Sequence, residues 1–213
     1  MRIAFIGASG TGKTTLAKWV AETYSLPLNP VGARSVARDM GFETPYDVDQ
    51  ADADTYGKAL LQGSTLDEAA CAAMREWSGH GESVRAQFQL QLHREKLRWE
   101  RKHEDFVSDR SPLDDMAYAI QHCCGAVDTD FILRAVNHVR LLDALFFCPL
   151  TAFYAHDGDK CRVEDRTYHH IFEMILRGIV AGEKIPTVTL HEPGLQERKA
   201  RIGTIISALL RRG

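Results

Sequence analysis

Eight consecutive residues, Gly7-Ala8-Ser9-Gly10-Thr11-Gly12-Lys13-Thr14, constrain this chain more than any other segment. They fill G-x-x-x-x-G-K-[ST] at every fixed position. The flanks agree with the motif. An apolar run of strand length, RIAFI, precedes it, and Leu16, Val20 and Tyr24 recur at helical spacing after it. A strand, loop and helix in this order hold phosphate. Glycines let the backbone turn its N–H groups toward one anion, and the helix N-terminus adds the positive end of its dipole. Lys13 is placed to reach β- and γ-phosphates, and Thr14 to offer a hydroxyl to Mg²⁺. Gly7, Ala8, Ser9, Gly10, Thr11, Gly12, Lys13, Thr14 and Thr15 are therefore expected to bind nucleotide. No N-K-x-D guanine motif occurs, so ATP with Mg²⁺ is the expected pair.

Beyond the loop, strand-like and helix-like runs alternate. Strands are expected over 2–6, about 26–31, 106–108, 144–148 and 187–190. Helices are expected over 13–24, 34–40, 84–101, from Pro112, 129–142, 166–181 and 195–211. On the helix 166–181 the inward side is read as Tyr168, Ile171, Ile175 and Ile179. Alternation of this kind means a parallel sheet covered on both faces. The expected fold is α/β, a three-layer sandwich with a five-stranded parallel sheet, a helical insertion and a lid. Residues 1–213 read as one domain, with 41–82 as an acceptor-side insertion and 156–166 as the lid. Within the insertion a helix is expected over 65–77, capped by Ser64 or Thr65.

Composition narrows the function classes. The formal net charge is −3, so a polycation that clings to nucleic acid is not expected. No apolar run approaches the roughly 18–20 residues that span a bilayer, and no membrane partner is expected. The N-terminal apolar stretch is too short for a signal peptide. A cytoplasmic location is expected, host cytoplasm if the source is viral, for a monomer or homodimer. Cys71, Cys123, Cys124, Cys148 and Cys161 make an odd count and read as free thiols. His122-Cys123-Cys124 lacks a second pair at zinc spacing.

A second motif, Asp109-Arg110-Ser111, follows one expected strand and precedes a helix. It therefore falls at the C-terminal edge of the sheet, where α/β proteins bind ligands. A carboxylate there holds Mg²⁺ or accepts a proton from an attacking hydroxyl. The neighbouring guanidinium grips phosphate. The same pattern also fits a helix-capping Asp beside a surface Arg.

GASGTGKT after a strand, followed by FVSDRSPLDDMAYA, resembles the nucleoside and nucleotide kinase group of P-loop proteins. The match is closer to a phage and bacterial branch similar to thymidylate-kinase-like and deoxynucleoside monophosphate kinases. That branch resembles nicotinamide riboside kinase domains and phage kinases acting on 5-hydroxymethyluracil in DNA. The resemblance extends through ARSVARDMGF and HDGDKCRVED and leaves out about residues 50–82. It implies phosphoryl transfer with Lys13, Asp109, Arg110, Arg162 and Arg166 as catalytic residues. Arg162 and Arg166 enter as lid residues that neutralise charge on the moving phosphoryl group. Thr14 and Asp109 become the metal-side residues. It also sets Arg34 and Arg38, four apart on one helix face, beside the acceptor with Asp109 and Arg110. Both pairs of arginines also fit ordinary solvated surface. His191-Glu192-Pro193-Gly194 is set against the adenine.

Elsewhere, Arg94, Lys96, Arg98, Arg101 and Lys102 alternate with Glu95, Glu100 and Glu104, which reads as an ion-paired helix face. Trp77 and Trp99 read as packing residues before base-stacking ones. The acceptor stays open between a deoxynucleoside monophosphate and a hydroxyl, including the hydroxymethyl group of a base in DNA. An ATP-driven switch or nucleotide sensor without acceptor turnover is the alternative.

Overall fold

Short apolar runs build the sheet. The computed structural model describes residues 1–45, 47–48, 84–122, 128–152, 154 and 165–211. In chain order these form β1 (Arg2–Ile6), α1 (Lys13–Tyr24), α2 (Ala33–Asp39), α3 (Val84–Arg101), β2 (Phe106–Asp109), α4 (Pro112–His122), α5 (Thr129–Val139), β3 (Ala144–Phe147), α6 (Arg166–Gly182), β4 (Val188–Thr189) and α7 (Leu195–Leu210). The sheet order is β2-β1-β3-β4, with every pairing parallel. Alternate residues of β1 serve opposite faces, as the pleat demands. Ala4 and Ile6 pack with Leu113, Met116, Phe131 and Phe172 from α4, α5 and α6. Ile3 and Phe5 pack with Leu16, Val20, Ile202 and Ile206 from α1 and α7. The three-layer sandwich expected from the alternation is the fold observed. A third cluster, with Val36, Val48, Phe88 and Leu92, fastens α2 to α3.

Three expectations need correction. Among the described residues the sheet has four strands rather than five. The segment around Leu28 makes one parallel bridge, to Val107. Its two hydrogen bonds, Val107 N to Pro27 O and Asn29 N to Val107 O, are each 2.8 Å. Pro27 has no N–H to extend the ladder in one direction, and in the other the next donor, Val31 N, is taken by Asn29 Oδ1 at 2.9 Å.

The inward stripe of α6 is one step off the expected one. His169, Phe172, Glu173 and Leu176 are buried and Ile171 is 46% exposed, while Ile175 and Ile179 of the expected stripe still pack, half-buried, against the same core. Hydropathy rejects a stripe carrying His and Glu. Glu173 is tolerated inside because Oε2 accepts from Leu150 N at 2.6 Å and Oε1 from Arg177 at 2.8 and 3.0 Å.

The charged face of α3 is not all solvated. Lys96 and Glu100 are 1% and 2% exposed. Lys96 Nζ meets Asp115 Oδ1 at 2.8 Å. Glu100 accepts from Ser108 Oγ at 2.5 Å and Asn29 Nδ2 at 3.0 Å, and lies 2.5 Å from His138 Nε2. Trp99 stacks on His103 and edges onto Phe106, a packing role. Cys148 is a buried free thiol; the other four cysteines, Trp77 and the helix expected at 65–77 lie outside the described residues. No helix among the described residues is long and apolar enough to cross a membrane.

Candidate active site

The phosphate loop leaves the C-terminal end of β1 and enters α1. Gly7, Gly10 and Gly12 have φ of 138°, 78° and 83°. At Gly7 the requirement is doubly strict, because a Cβ there would stand 2.4 Å from the Cys148 carbonyl oxygen. The loop is tied across by Thr11 Oγ1, which donates to Ala8 O at 2.9 Å. Lys13 Nζ turns inward to Ala8 O at 2.5 Å and Thr11 Oγ1 at 3.2 Å. Burial pulls its pKa down to about 8; Arg110 adds to that, and Asp109 and Asp114 oppose it.

Thr14, the first-turn residue of α1, donates its hydroxyl to Asp109 Oδ2 at 2.5 Å. Asp109 closes β2, whose register sets it beside Phe5. Its other oxygen, Oδ1, is buried without a hydrogen-bond partner. An orphaned carboxylate oxygen next to a threonine hydroxyl is a donor set of the hard-oxygen kind that Mg²⁺ takes. Thr14 and Asp109 thus fit the metal role expected of them.

Arg110 sits at φ 83°, a backbone shape unusual for any residue but glycine. Its amide donates to Phe5 O at 2.9 Å, continuing the sheet pattern past the strand end. The guanidinium reaches Gly7 O at 3.4 Å and Asp114 Oδ1 at 3.5 Å, and lies 5.1 Å over the Tyr118 ring. Burial alone would lower its pKa, but Tyr118, Asp114 and Asp109 hold it above the ordinary arginine value.

Asp114 was not singled out in the sequence, yet it is fully buried at this junction. Its Oδ1 accepts from Gly7 N at 3.1 Å and its Oδ2 from Ser111 N at 2.8 Å. One carboxylate therefore fixes the start of the phosphate loop and the start of α4. Burial raises its pKa, against the pull of Arg110 and Lys13. The available signal was its place three residues after Ser111, the spacing at which an acidic side chain reaches back to a helix start.

Arg198 of α7 was also missed. It is 1% exposed, donating through Nε to Glu192 O at 2.6 Å and through Nη1 to Thr11 O at 3.0 Å. It joins the 191–194 loop to the phosphate loop. On the other side of Arg110, Tyr118 stacks toward His122, and His122 bridges Arg85 at 2.9 Å and the Tyr168 hydroxyl at 2.6 Å. Burial, helped by Arg85, brings His122 down to about 4.

The remaining expectations are met unevenly. Arg34 and Arg38 lie on the exposed side of α2. Arg166 opens α6 and is exposed, with Asp165 capping that helix through Thr167 N at 2.8 Å. Arg162 and residues 155–164 lie outside the described residues. Ala8 is buried, and Ser9 and Thr15 rim the loop.

A glycine-turned phosphate loop at the C-terminal edge of a parallel sheet, met by an acidic residue from the adjacent strand, defines a P-loop nucleotide-binding protein. The chain belongs to the AAA domain family, whose model matches residues 2–198. Its fold is similar to deoxyadenosine kinase from M. mycoides with the products dCMP and a flexible dCDP bound. The TM-score is 0.57 at 12% identity, covering 98% of this chain and 100% of that one. The same kinase with dATP bound gives a TM-score of 0.56 at 16% identity, covering 98% and 99%. No curated protein matches this chain.

Proposed function

We propose that this protein is a kinase that moves a phosphoryl group from ATP, with Mg²⁺, to a nucleotide-type acceptor. The observation that carries the reading is the Thr14–Asp109 bond at 2.5 Å beside the inward-turned Lys13. Mg²⁺, when bound by Thr14 and Asp109, supplies charge neutralisation between the phosphates. Lys13 would leave the Ala8 carbonyl for the phosphates and hold the terminal group in line. Arg110, already fixed by Gly7 and Asp114, presents a charge that does not have to reorganise. Arg162 and Arg166 keep the transition-state role suggested by their sequence context, and Arg34 and Arg38 the acceptor-side one.

Asp109 engaged with Thr14 suits a metal organiser better than a proton acceptor, which favours a deoxynucleoside monophosphate over a hydroxyl acceptor. Fold similarity to a deoxyadenosine kinase with dCMP among its products supports phosphoryl transfer of the nucleoside-kinase type and does not itself choose between the two acceptors. The test is transfer of labelled γ-phosphate to a panel of deoxynucleoside monophosphates, nucleosides, nicotinamide riboside, plain DNA and DNA containing 5-hydroxymethyluracil. Label in the monophosphates is the expected result. Label in the modified DNA alone would make this a DNA-modifying kinase. Label released only as free phosphate, or not released at all, would sink the kinase reading and leave an ATP-driven switch.

A further inference from the structure

A cavity of about 590 Å³ opens at the end of the sheet opposite the phosphate loop. Its lining includes Arg2 and Phe106, which begin β1 and β2, and Leu142 just before β3. The volume lies within the roughly 300–1,000 Å³ of small-molecule pockets. Phe106 and Leu142 give an apolar wall, while Arg2, Arg101, Glu100 and His138 give polar ones.

The charges are not mutually cancelled. Arg134 at the rim is paired with Asp130. Glu100 is occupied by Ser108, Asn29 and His138. Arg2 spends only Nε, on the Glu104 carbonyl at 3.2 Å. Among the described residues neither Arg2 nor Arg101 has an ion pair through its side chain. Two guanidiniums with spare N–H forks beside an apolar wall suit an anion with an apolar body.

The polar floor runs inward. His138 Nε2 touches one Glu100 oxygen at 2.5 Å, and Ser108 Oγ touches the other at 2.5 Å. Ser108 directly precedes Asp109 on β2. Glu100 is thus a single buried group shared by the cavity and the strand that carries the metal-side carboxylate.

We propose that this cavity binds a small organic anion, a carboxylate or a phosphate ester, and that Glu100 transmits its occupancy to Asp109. The inference does not rest on the phosphoryl-transfer reading. Phenyl phosphate and benzoate serve as probes, since each pairs one anionic group with one ring. Each is titrated into the full chain while the Leu142 methyl and the Ser108 and Asp109 amide signals are followed by NMR. Saturating shifts at all three are expected with at least one probe, and which probe acts separates phosphate from carboxylate. In the Arg2→Ala/Arg101→Ala variant the affinity should fall at least about tenfold, and the Asp109 shift should go with it. The Arg2→Lys/Arg101→Lys variant checks that charge, not folding, was removed, and should retain binding. No shift at Leu142 with either probe, or undiminished shifts in the alanine variant, would overturn the site. Shifts at Leu142 with Ser108 and Asp109 unmoved would overturn the relay.

Discussion

Thr14 Oγ1 lies 2.5 Å from Asp109 Oδ2, a bond that joins the first turn of α1 to the end of β2 across 95 residues of chain. If the pair organises Mg²⁺, Asp109→Asn should keep ATP binding but cut transfer by roughly 10²-fold or more. Thr14→Ser keeps the hydroxyl and should stay near the parent rate, whereas Thr14→Val should need far more Mg²⁺. Initial rates across a Mg²⁺ series separate these cases. Parent-like turnover in Asp109→Asn would leave the carboxylate as a helix-joining group only.

Lys13 gives a pH signature. Burial first, then Arg110, brings its pKa from 10.5 to about 8. Between these two values the unfolded chain holds a proton that the folded, ligand-free chain has lost. Stability of the ligand-free protein therefore rises with pH across that window. A bound triphosphate favours the charged amine, so binding near pH 8.5 should take up a proton and weaken as pH rises further. Calorimetry in two buffers of different ionisation enthalpy measures the uptake, and Lys13→Ala should abolish both the uptake and the transfer. Equal heats in both buffers would contradict a depressed Lys13.

The phosphate loop was legible because its chemistry is local: glycine backbone freedom, one amine and one hydroxyl at fixed spacing. The two-faced sheet was legible because burial on both faces makes RIAFI and β3 near-continuous apolar runs, which leaves a direct trace in residue type. What escaped was polar burial. Lys96, Glu100, Asp114, Glu173 and Arg198 are each 6% exposed or less. Each is held inside by partners that are remote in sequence or on the backbone, such as Asp115 for Lys96 and the Thr11 carbonyl for Arg198. Hydropathy assigns such residues to the surface, and only the assembled fold supplies what satisfies them. The fifth strand stops at one bridge because Pro27 lacks an N–H, which the sequence shows, and because Asn29 Oδ1 takes Val31 N, which it does not.

Asp114 should matter more for stability than its sequence context suggests. Its two oxygens satisfy Gly7 N and Ser111 N, and its charge faces Arg110. Asp114→Ala strands two buried N–H groups and a guanidinium, a loss of about 3–5 kcal/mol. Asp114→Asn offers one acceptor and one NH₂, so one of the two backbone donors meets another donor. It should sit between the parent and the alanine variant in urea unfolding. A loss under about 1 kcal/mol for Asp114→Ala would show that water replaces the carboxylate.

His93 predicts acid sensitivity. It is 3% exposed, its ring lies 4.3 Å from Phe131, and neither nitrogen has a hydrogen-bond partner. Burial first, then Lys96, Arg134, His138 and Arg101, pulls its pKa from 6.5 to about 3. Asp115, the acidic group facing it, stays 3.9 Å away and is engaged by Lys96. From pH 6.5 down toward 3 the unfolded chain gains a proton that the folded chain refuses, so stability falls with falling pH. At pH 5 the loss from this group is about 2 kcal/mol. His93→Phe should flatten the stability–pH curve over that window in chemical denaturation. An unchanged slope would assign the acid response to other groups.

Arg198 offers the sharpest test of how the 191–194 loop and the phosphate loop are joined. Its Nε and Nη1 hold two carbonyls, Glu192 O in the loop after β4 and Thr11 O in the phosphate loop. Neither carbonyl belongs to an acidic side chain, so the bonds fix backbone positions rather than neutralise charge. Removing the guanidinium frees both loops at once. Arg198→Ala should raise the KM for ATP by about tenfold, the equivalent of one lost charged hydrogen bond. The step after binding should change less, because Lys13, Thr14 and Asp109 keep their own contacts. Arg198→Lys reaches one carbonyl at a time and should recover part of the loss. A merely structural arginine would instead lower the folded fraction and leave the KM of the surviving enzyme unchanged. Rates normalised to active sites, measured across ATP concentrations for both variants, distinguish a loop clamp from a core residue.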